Sequence, residues 1–332
     1  MVQPDQEVAP VQPAFACQHW QRSYPIAAEV AETQAGLISE LSTATAEERA
    51  SFQRYYEEAG PDYAAWSAHY NMHFGFFRWG MNPFDREAML EQMNLEILHR
   101  LHLEDDSSAH RNLRVLDMGC GLGATLRSFA RRLSSAELHG ITLVPWQLEQ
   151  GCHLNQSCPE GGRITLALGD YEHTKFRSAS FDAVYAVESS CYAHGANKSA
   201  FLQEAYRLLR PGGRLAVADG FLGTGKLRGP QKAICRTLCD CWVIDTLGEV
   251  AAFTRELERI GFRDIVVEQT QSRVAPSVLH VPWVTLKFLT VVFGGRRMTR
   301  ARWNNVLAPI LLPFVGFPVG PMAYYIISAT RV

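Results

Sequence analysis

The sequence predicts an α/β protein built on a mostly parallel sheet with helices on both faces. Three observations predict it. Short β-like runs recur from Leu113 onward, at 114–117, 137–142, 163–168, 183–187, 214–218 and 264–268, separated by stretches long enough for helices. Strands that alternate with helices imply parallel pairing, because each return crosses over a face of the sheet. A glycine-rich turn, Gly119-Cys120-Gly121-Leu122-Gly123, follows the first run and leads into an apparent helix. The composition is that of a folded protein: 332 residues, 47% hydrophobic, 20% charged, net charge −2. Disordered, collagen-like and disulfide-scaffold classes do not fit those values. Nor does so small a charge offer the phosphate contacts that nucleic-acid binding needs, so no nucleic-acid partner is expected.

Taken in order, residues 1–25 are polar and proline-containing without a period, which reads as a loose arm. Residues 26–110 read as a helical, aromatic-rich cap. Its 26–58 stretch looks helical, with Thr45 as an N-cap ahead of Glu47 and Glu48. Nine aromatic residues crowd between Tyr55 and Trp79. Asn82-Pro83 marks a turn, and Met89, Met93, Ile97 and Leu101 then form one apolar helical face. The polar run 104–111 is a natural boundary, after which 111–332 forms the core. An insertion at 272–322, rich in Val, Leu, Phe, Trp and Pro, separates the sixth strand from a last strand at 323–330.

Eight cysteines include no CxxC pair, and Cys235, Cys239 and Cys241 lack a histidine at zinc-finger spacing. They read as reduced, packed residues, with no metal site. The first residues show neither a basic n-region nor an apolar h-region, so a reducing cytoplasm is the expected location. No apolar run reaches the length of a membrane span. The stretches 281–293 and 306–319 come closest and read as buried or interfacial. Arg296, Arg297, Arg300 and Arg302 interrupt the insertion. They read either as a solvated basic face or as a contact with an anionic membrane surface or a diphosphate.

A strand ending in Asp117 and turning through alternate glycines brings backbone N–H groups and a carboxylate close to a ligand. The third glycine comes one residue earlier than in the dinucleotide fingerprint. Val115–Gly123, VLDMGCGLG, resembles the first motif of the class I S-adenosylmethionine (SAM)-dependent methyltransferases. Further matches follow in order: Gly140-Ile141-Thr142-Leu143 with Gln147, Gly169-Asp170, Phe181-Asp182-Ala183-Val184, and Leu208-Leu209-Arg210-Pro211-Gly212-Gly213. The second of these is similar to a segment of the sterol, tocopherol and cyclopropane-fatty-acid subgroups. The resemblance covers roughly 113–270. It implies a Rossmann-like, seven-stranded sheet whose last strand is antiparallel.

It also implies site residues. Asp117, Gly119, Cys120 and Gly121 would line the methionine end of SAM. Thr142, Leu143 and Gln147 would lie near the ribose, and Asp170 and Tyr171 at the adenine. Many family members end the second strand in an acidic residue that holds the ribose. This chain has Gly140-Ile141-Thr142 there, which leaves Gln147 as the substitute.

Val187-Glu188-Ser189-Ser190-Cys191-Tyr192-Ala193-His194 resembles the segment of sterol C-methyltransferases after the fourth strand. Glu188 would then sit beside a developing cation or accept its proton, or else shape the pocket through backbone hydrogen bonds. His194 and Tyr192 are second candidates. Tyr70-Asn71-Met72-His73-Phe74-Gly75 looks like the lead-in that covers the cofactor in lipid and natural-product methyltransferases, and Tyr70, His73 and Tyr56 are expected to face the site, Tyr70 and His73 as catalytic candidates and Tyr56, with Tyr192, in the substrate pocket.

The expected reaction is transfer of a methyl group from SAM to a lipophilic small molecule, releasing S-adenosyl-L-homocysteine, with carbon methylation of an isoprenoid alkene through a carbocation as the leading case. An Asp-rich magnesium motif for a diphosphate is missing from the sequence. The second reading is an O- or N-methyltransferase of a hydrophobic natural product, with His194 or His73 as base. A nicotinamide oxidoreductase shares the sheet but not the glycine spacing. A non-catalytic SAM-binding protein is disfavoured by the intact loop. The apolar insertion allows peripheral membrane contact, and the chain allows a homodimer.

Overall fold

The computed structural model describes residues 46–103, 112–223, 227, 229–293, 298–316 and 320–332. The expected arm at 1–25, the 26–45 part of the first helical stretch, the Thr45 cap, Cys17, Arg296 and Arg297 lie outside them. A seven-stranded sheet runs in the order β3-β2-β1-β4-β5-β7-β6. Its strands are β1 Arg114–Met118, β2 Glu137–Thr142, β3 Ile164–Leu168, β4 Phe181–Val187, β5 Leu209–Leu222, β6 Phe262–Gln269 and β7 Met322–Arg331. β1 to β5 pair in parallel, whereas β7 runs antiparallel between β5 and β6. The expected fold, with its antiparallel last strand, is the observed one.

The central strands are buried on both faces, which is why they read as continuous apolar runs rather than alternating ones. One face packs Phe129, Tyr185 and Leu138. The other packs Phe181, Phe201 and Phe253. β6 is the exposed edge and carries Arg263, Asp264 and Glu268, charges that discourage pairing with another chain. β5 starts five residues before the expected 214. Phe181 pairs with Leu209 and, past an irregularity, Ala183 pairs with Arg214, so the Arg-Pro-Gly-Gly turn is taken into the strand.

Among the described residues, three α-helices precede the sheet: α1 Ala46–Ala59, the short α2 Tyr63–Trp66 and α3 Arg86–Arg100. On α3, Asp85 accepts a hydrogen bond from the Ala88 N–H at 3.0 Å and caps the helix. Met89, Met93, Ile97 and Leu101 are buried, as their spacing predicts. The crossovers are α4 Ala124–Ala130, α5 Pro145–Gln156, α6 Ser199–Leu208, α7 Gly229–Trp242 and α8 Val250–Ile260. Between β6 and β7 stand α9 Gln271–Val278, α10 Val281–Phe293 and α11 Arg300–Val315. α11 packs on α7, α10 and α1. Among the described residues, no helix is long and apolar enough to cross a membrane.

Arg302 corrects one sequence reading. It belongs neither to a solvated face nor to a membrane contact. It is buried on α11 and paired with buried Asp62, its Nη2 2.7 Å from Oδ1 and its Nε 2.8 Å from Oδ2. That bidentate pair ties the segment after α1 to α11, and Tyr55 adds a hydrogen bond to Asn305 at 3.1 Å.

Candidate active site

A cavity of about 860 Å³ opens at the carboxyl ends of β1, β2 and β4, where open α/β sheets bind their ligands. Asp117, Gly119, Cys120, Gly121, Thr142, Leu143, Gln147, Asp170, Tyr171, Glu188 and His194 all line it, as do Tyr56, Tyr70, His73 and Tyr192. The structure thus brings together the residues that the sequence assigned to the cofactor and to the reaction.

The glycine turn has its own steric logic. Gly119 holds φ at +113°, and a Cβ there would fall 2.3 Å from Ser189 Cβ. Both the conformation and the space exclude a side chain. Asp117 is buried beneath this turn and takes part in none of the ion pairs among the described residues. Burial pushes its carboxyl up to about 7, while the neighbouring Tyr185 phenol pulls the other way. A buried carboxylate without a cation is suited to a ligand that brings one. Thr142 donates to Gln147 Oε1 at 2.6 Å and accepts from the Val144 N–H at 3.1 Å, which fixes the end of β2. Gln147 is buried rather than an exposed helix residue. Gln53 on α1 donates to the Leu143 carbonyl at 2.8 Å and ties that helix to the segment after β2.

The two histidines have separate settings. Both nitrogens of the buried His73 ring are engaged, Nδ1 with the Phe74 carbonyl at 2.9 Å and Nε2 with Asn94 Oδ1 at 3.1 Å. Burial lowers its pKa, and the ring braces the lead-in segment. His194 Nδ1 lies 2.5 Å from Glu172 Oε2, and its backbone N–H donates to the same carboxylate at 3.0 Å.

A second, smaller chamber of about 170 Å³ adjoins the first and shares Tyr56, Met72, Glu188 and Tyr192 with it. Its walls are largely apolar: Trp66 from α2, Phe74 from the lead-in, Leu238 and Trp242 from α7, Val284 and Phe288 from α10, Val306 and Leu312 from α11. Neither His73 nor His194 lines it.

Glu188 stands where the two spaces meet. Its backbone has φ +48°, a left-handed conformation costly for a side chain of this kind. Three bonds hold it there. The Glu188 N–H donates to the Ala218 carbonyl at 2.8 Å. Its Oε1 accepts from the Phe74 N–H at 2.7 Å and from the Tyr324 hydroxyl at 2.9 Å. Burial pushes the carboxyl up to about 8, and those two donors only partly offset it. Below it, buried Asp219 accepts from Ser190 Oγ at 2.7 Å and from the Cys191 N–H at 2.9 Å. Burial raises Asp219 as well.

Sequence reasoning missed Tyr324 and Asp219. Each lay inside a run read simply as strand; the pairing of β4 with β5, Val187 opposite Ala218, brings Asp219 to Glu188, and that of β5 with β7, Gly220 opposite Tyr324, brings Tyr324. The cysteines are free among the described residues, which also contain no group of three or more potential metal ligands.

Comparison with known proteins gives the same direction. Residues 115–213 match a family model described as a methyltransferase domain. The chain is 25% identical over 286 residues to a probable chloroplastic tocopherol O-methyltransferase of Oryza sativa subsp. japonica, covering 83% of this chain and 76% of that one. It is 28% identical over 229 residues to a sterol 24-C-methyltransferase of Yarrowia lipolytica, covering 67% of this chain and 58% of that one. Among solved structures, the cyclopropane synthase MmaA2 from Mycobacterium tuberculosis superposes with a TM-score of 0.71 at 15% identity, over 85% of this chain and 98% of that chain.

Proposed function

We propose that this chain, which belongs to the S-adenosylmethionine-dependent methyltransferases, methylates a lipophilic small molecule at carbon, with an isoprenoid-type alkene as the acceptor. The single observation that carries the reading is the position of Glu188, the one carboxylate that lines both the glycine-turn cavity and the apolar chamber. The residues of the larger cavity fit SAM. Asp117 offers a buried negative charge for its ammonium group, and the turn around Gly119 leaves room for close backbone approach. Gln147 and Thr142 would meet the ribose, and Asp170 and Tyr171 the adenine. When bound, SAM supplies an electrophilic methyl group on a sulfonium.

The chamber's role is to hold the acceptor in line and exclude water. Its apolar walls suit a hydrocarbon, and aromatic side chains such as Phe74 among them favour a nearby positive charge. Transfer of that methyl to an alkene would break its bond to sulfur, with S-adenosylhomocysteine as the leaving group, form one C–C bond and leave a cation on the neighbouring carbon. Glu188, once ionised, stabilises that cation and takes a proton from the adjacent carbon, which restores a double bond. Tyr324 and the Phe74 N–H hold the carboxylate oxygen in place during this step.

A second reading is favoured by the His194–Glu172 pair, a base with an orienting carboxylate, and by the similarity to an O-methyltransferase. Under that reading the acceptor reaches His194 through the larger cavity and is methylated on oxygen. Mass spectrometry of products formed with trideuteromethyl-SAM separates the two. The panel would span prenyl alcohols and diphosphates, sterols, quinols and phenols. A labelled methyl on carbon is expected. Label on oxygen or nitrogen alone would overturn carbon methylation.

A further inference from the structure

The helices between β6 and β7 are apolar on two sides, and only one side has been used. On α10 the inner face places Val284 and Phe288 in the chamber wall. Its outer face exposes Trp283 at 58% and Leu286 at 52%, following Leu279 at 79%. α11 repeats the pattern: Val306 and Leu312 point inward, while Trp303, Ile310 and Phe314 are exposed. The two helices pack on each other and wall the same chamber, so their outer faces both look away from it. Exposed Phe84 lies nearby, because the His280 ring bonds to the Pro83 carbonyl at 2.8 Å. Scattered surface hydrophobics are ordinary, but five large ones on the outer faces of two helices that pack on each other mark a candidate interaction site.

The charge of this region indicates the partner. Residues 271–321 contain six Lys or Arg and no Asp or Glu, although the remainder of the chain has eight more acidic than basic residues; Arg302 is neutralised by Asp62, which leaves five. Exposed Lys287 sits on the same face, its ammonium 5.7 Å from the Trp283 ring centroid. Apolar side chains beside cations, without a neighbouring acid in sequence, complement a surface that is greasy beneath and negative at its headgroups. Neither helix is long enough to cross, so the contact lies in the plane of the interface.

We propose that the outer face of α10 and α11 docks on an anionic lipid bilayer. Docking places the chamber, one helix thickness behind that face, next to the phase in which an apolar acceptor concentrates. The inference does not depend on carbon being the methylated atom, and its test is read with no acceptor present.

The test is co-sedimentation of the full chain with vesicles of phosphatidylcholine alone and of phosphatidylcholine containing phosphatidylglycerol. Wild type is expected to sediment with the anionic vesicles and to be released partly by salt. Trp283→Ser/Leu286→Ser/Phe314→Ser should bind roughly tenfold more weakly, while S-adenosylhomocysteine still raises its melting temperature. Should that variant fail to fold, Lys287→Glu gives a second reading, with weaker binding to anionic vesicles only. Absence of wild-type binding, or equal binding by wild type and variants, would overturn the proposal. So would concentration-dependent self-association, lost in the triple variant, without vesicle binding; the face would then join two copies of this chain.

Discussion

The hydroxyl of Tyr324, on β7, donates to Oε1 of Glu188 at 2.9 Å across 136 residues of sequence. β5 lies between their strands, yet the two side chains meet because Glu188 follows the end of β4 and leaves the sheet plane in a left-handed turn. The bond joins the last strand to the segment that separates the two cavities. It makes a carboxylate otherwise disfavoured by burial easier to ionise.

Replacing Glu188 by Gln should leave cofactor binding within a fewfold of wild type and lower kcat by roughly a hundredfold or more, the range ascribed to a positioned acid–base group. Calorimetric titration with S-adenosylhomocysteine and single-turnover kinetics read the two effects. Full turnover would remove Glu188 from the chemistry.

The same variant has a stability signature with a definite sign. The folded pKa of Glu188, about 8, exceeds its ordinary value of 4.5. The folded state therefore binds the proton more tightly than the unfolded one. Its stabilising contribution is fully present below the unfolded value and is lost as pH rises through the folded value near 8. Glu188→Gln should therefore melt higher than wild type at pH 9, by about 2–4 °C per kcal/mol recovered, with the advantage shrinking towards pH 5. Thermal denaturation across that range checks it.

Tyr324→Phe removes a donor that favours the carboxylate, so Glu188 should become still harder to ionise. If Glu188 acts as a base, the rising limb of the pH–rate profile moves to higher pH, and turnover at pH 7 falls more than turnover at pH 9. A uniform loss at every pH would point to packing alone.

Asp117, held near 7 by burial, must ionise to attract a cationic ligand group. SAM affinity should rise between pH 6 and pH 7.5, by roughly five- to tenfold on a simple one-proton titration. Asp117→Asn should bind weakly and flatten the slope. Unchanged affinity in Asp117→Ala would remove the assignment.

Breaking the buried Asp62–Arg302 pair on one side, as in Asp62→Asn or Arg302→Met, leaves the partner charge uncompensated. A loss of about 3–5 kcal/mol is expected, visible as a lower urea midpoint. The double replacement Asp62→Leu/Arg302→Met should recover part of that loss, since both charges are then gone.

By itself, the sequence determined the layered α/β fold, the glycine turn with Asp117, and the face of α3 that carries Met89, Met93, Ile97 and Leu101. These are local features. Burial on both sides of a parallel strand and the steric demands at Gly119 leave a direct trace in residue type and spacing. The cavity residues from Thr142 to His194 were legible for the same reason, because they sit at strand ends whose positions are set by that pattern.

What only the tertiary structure decided was where distant elements meet. Tyr324 reaches Glu188 because β7 inserts between β5 and β6, an arrangement with no signature in the residues of β7. Arg302 reads as one of four surface arginines until the packing of α11 buries it against Asp62. The insertion helices α10 and α11 carry large apolar residues on both their inner and outer sides, so their composition could not say which face walls the chamber and which is exposed. A side chain's chemistry is written in its residue type, but its partner is chosen by the packing of whole helices and strands, which minimises exposed surface over the molecule at once.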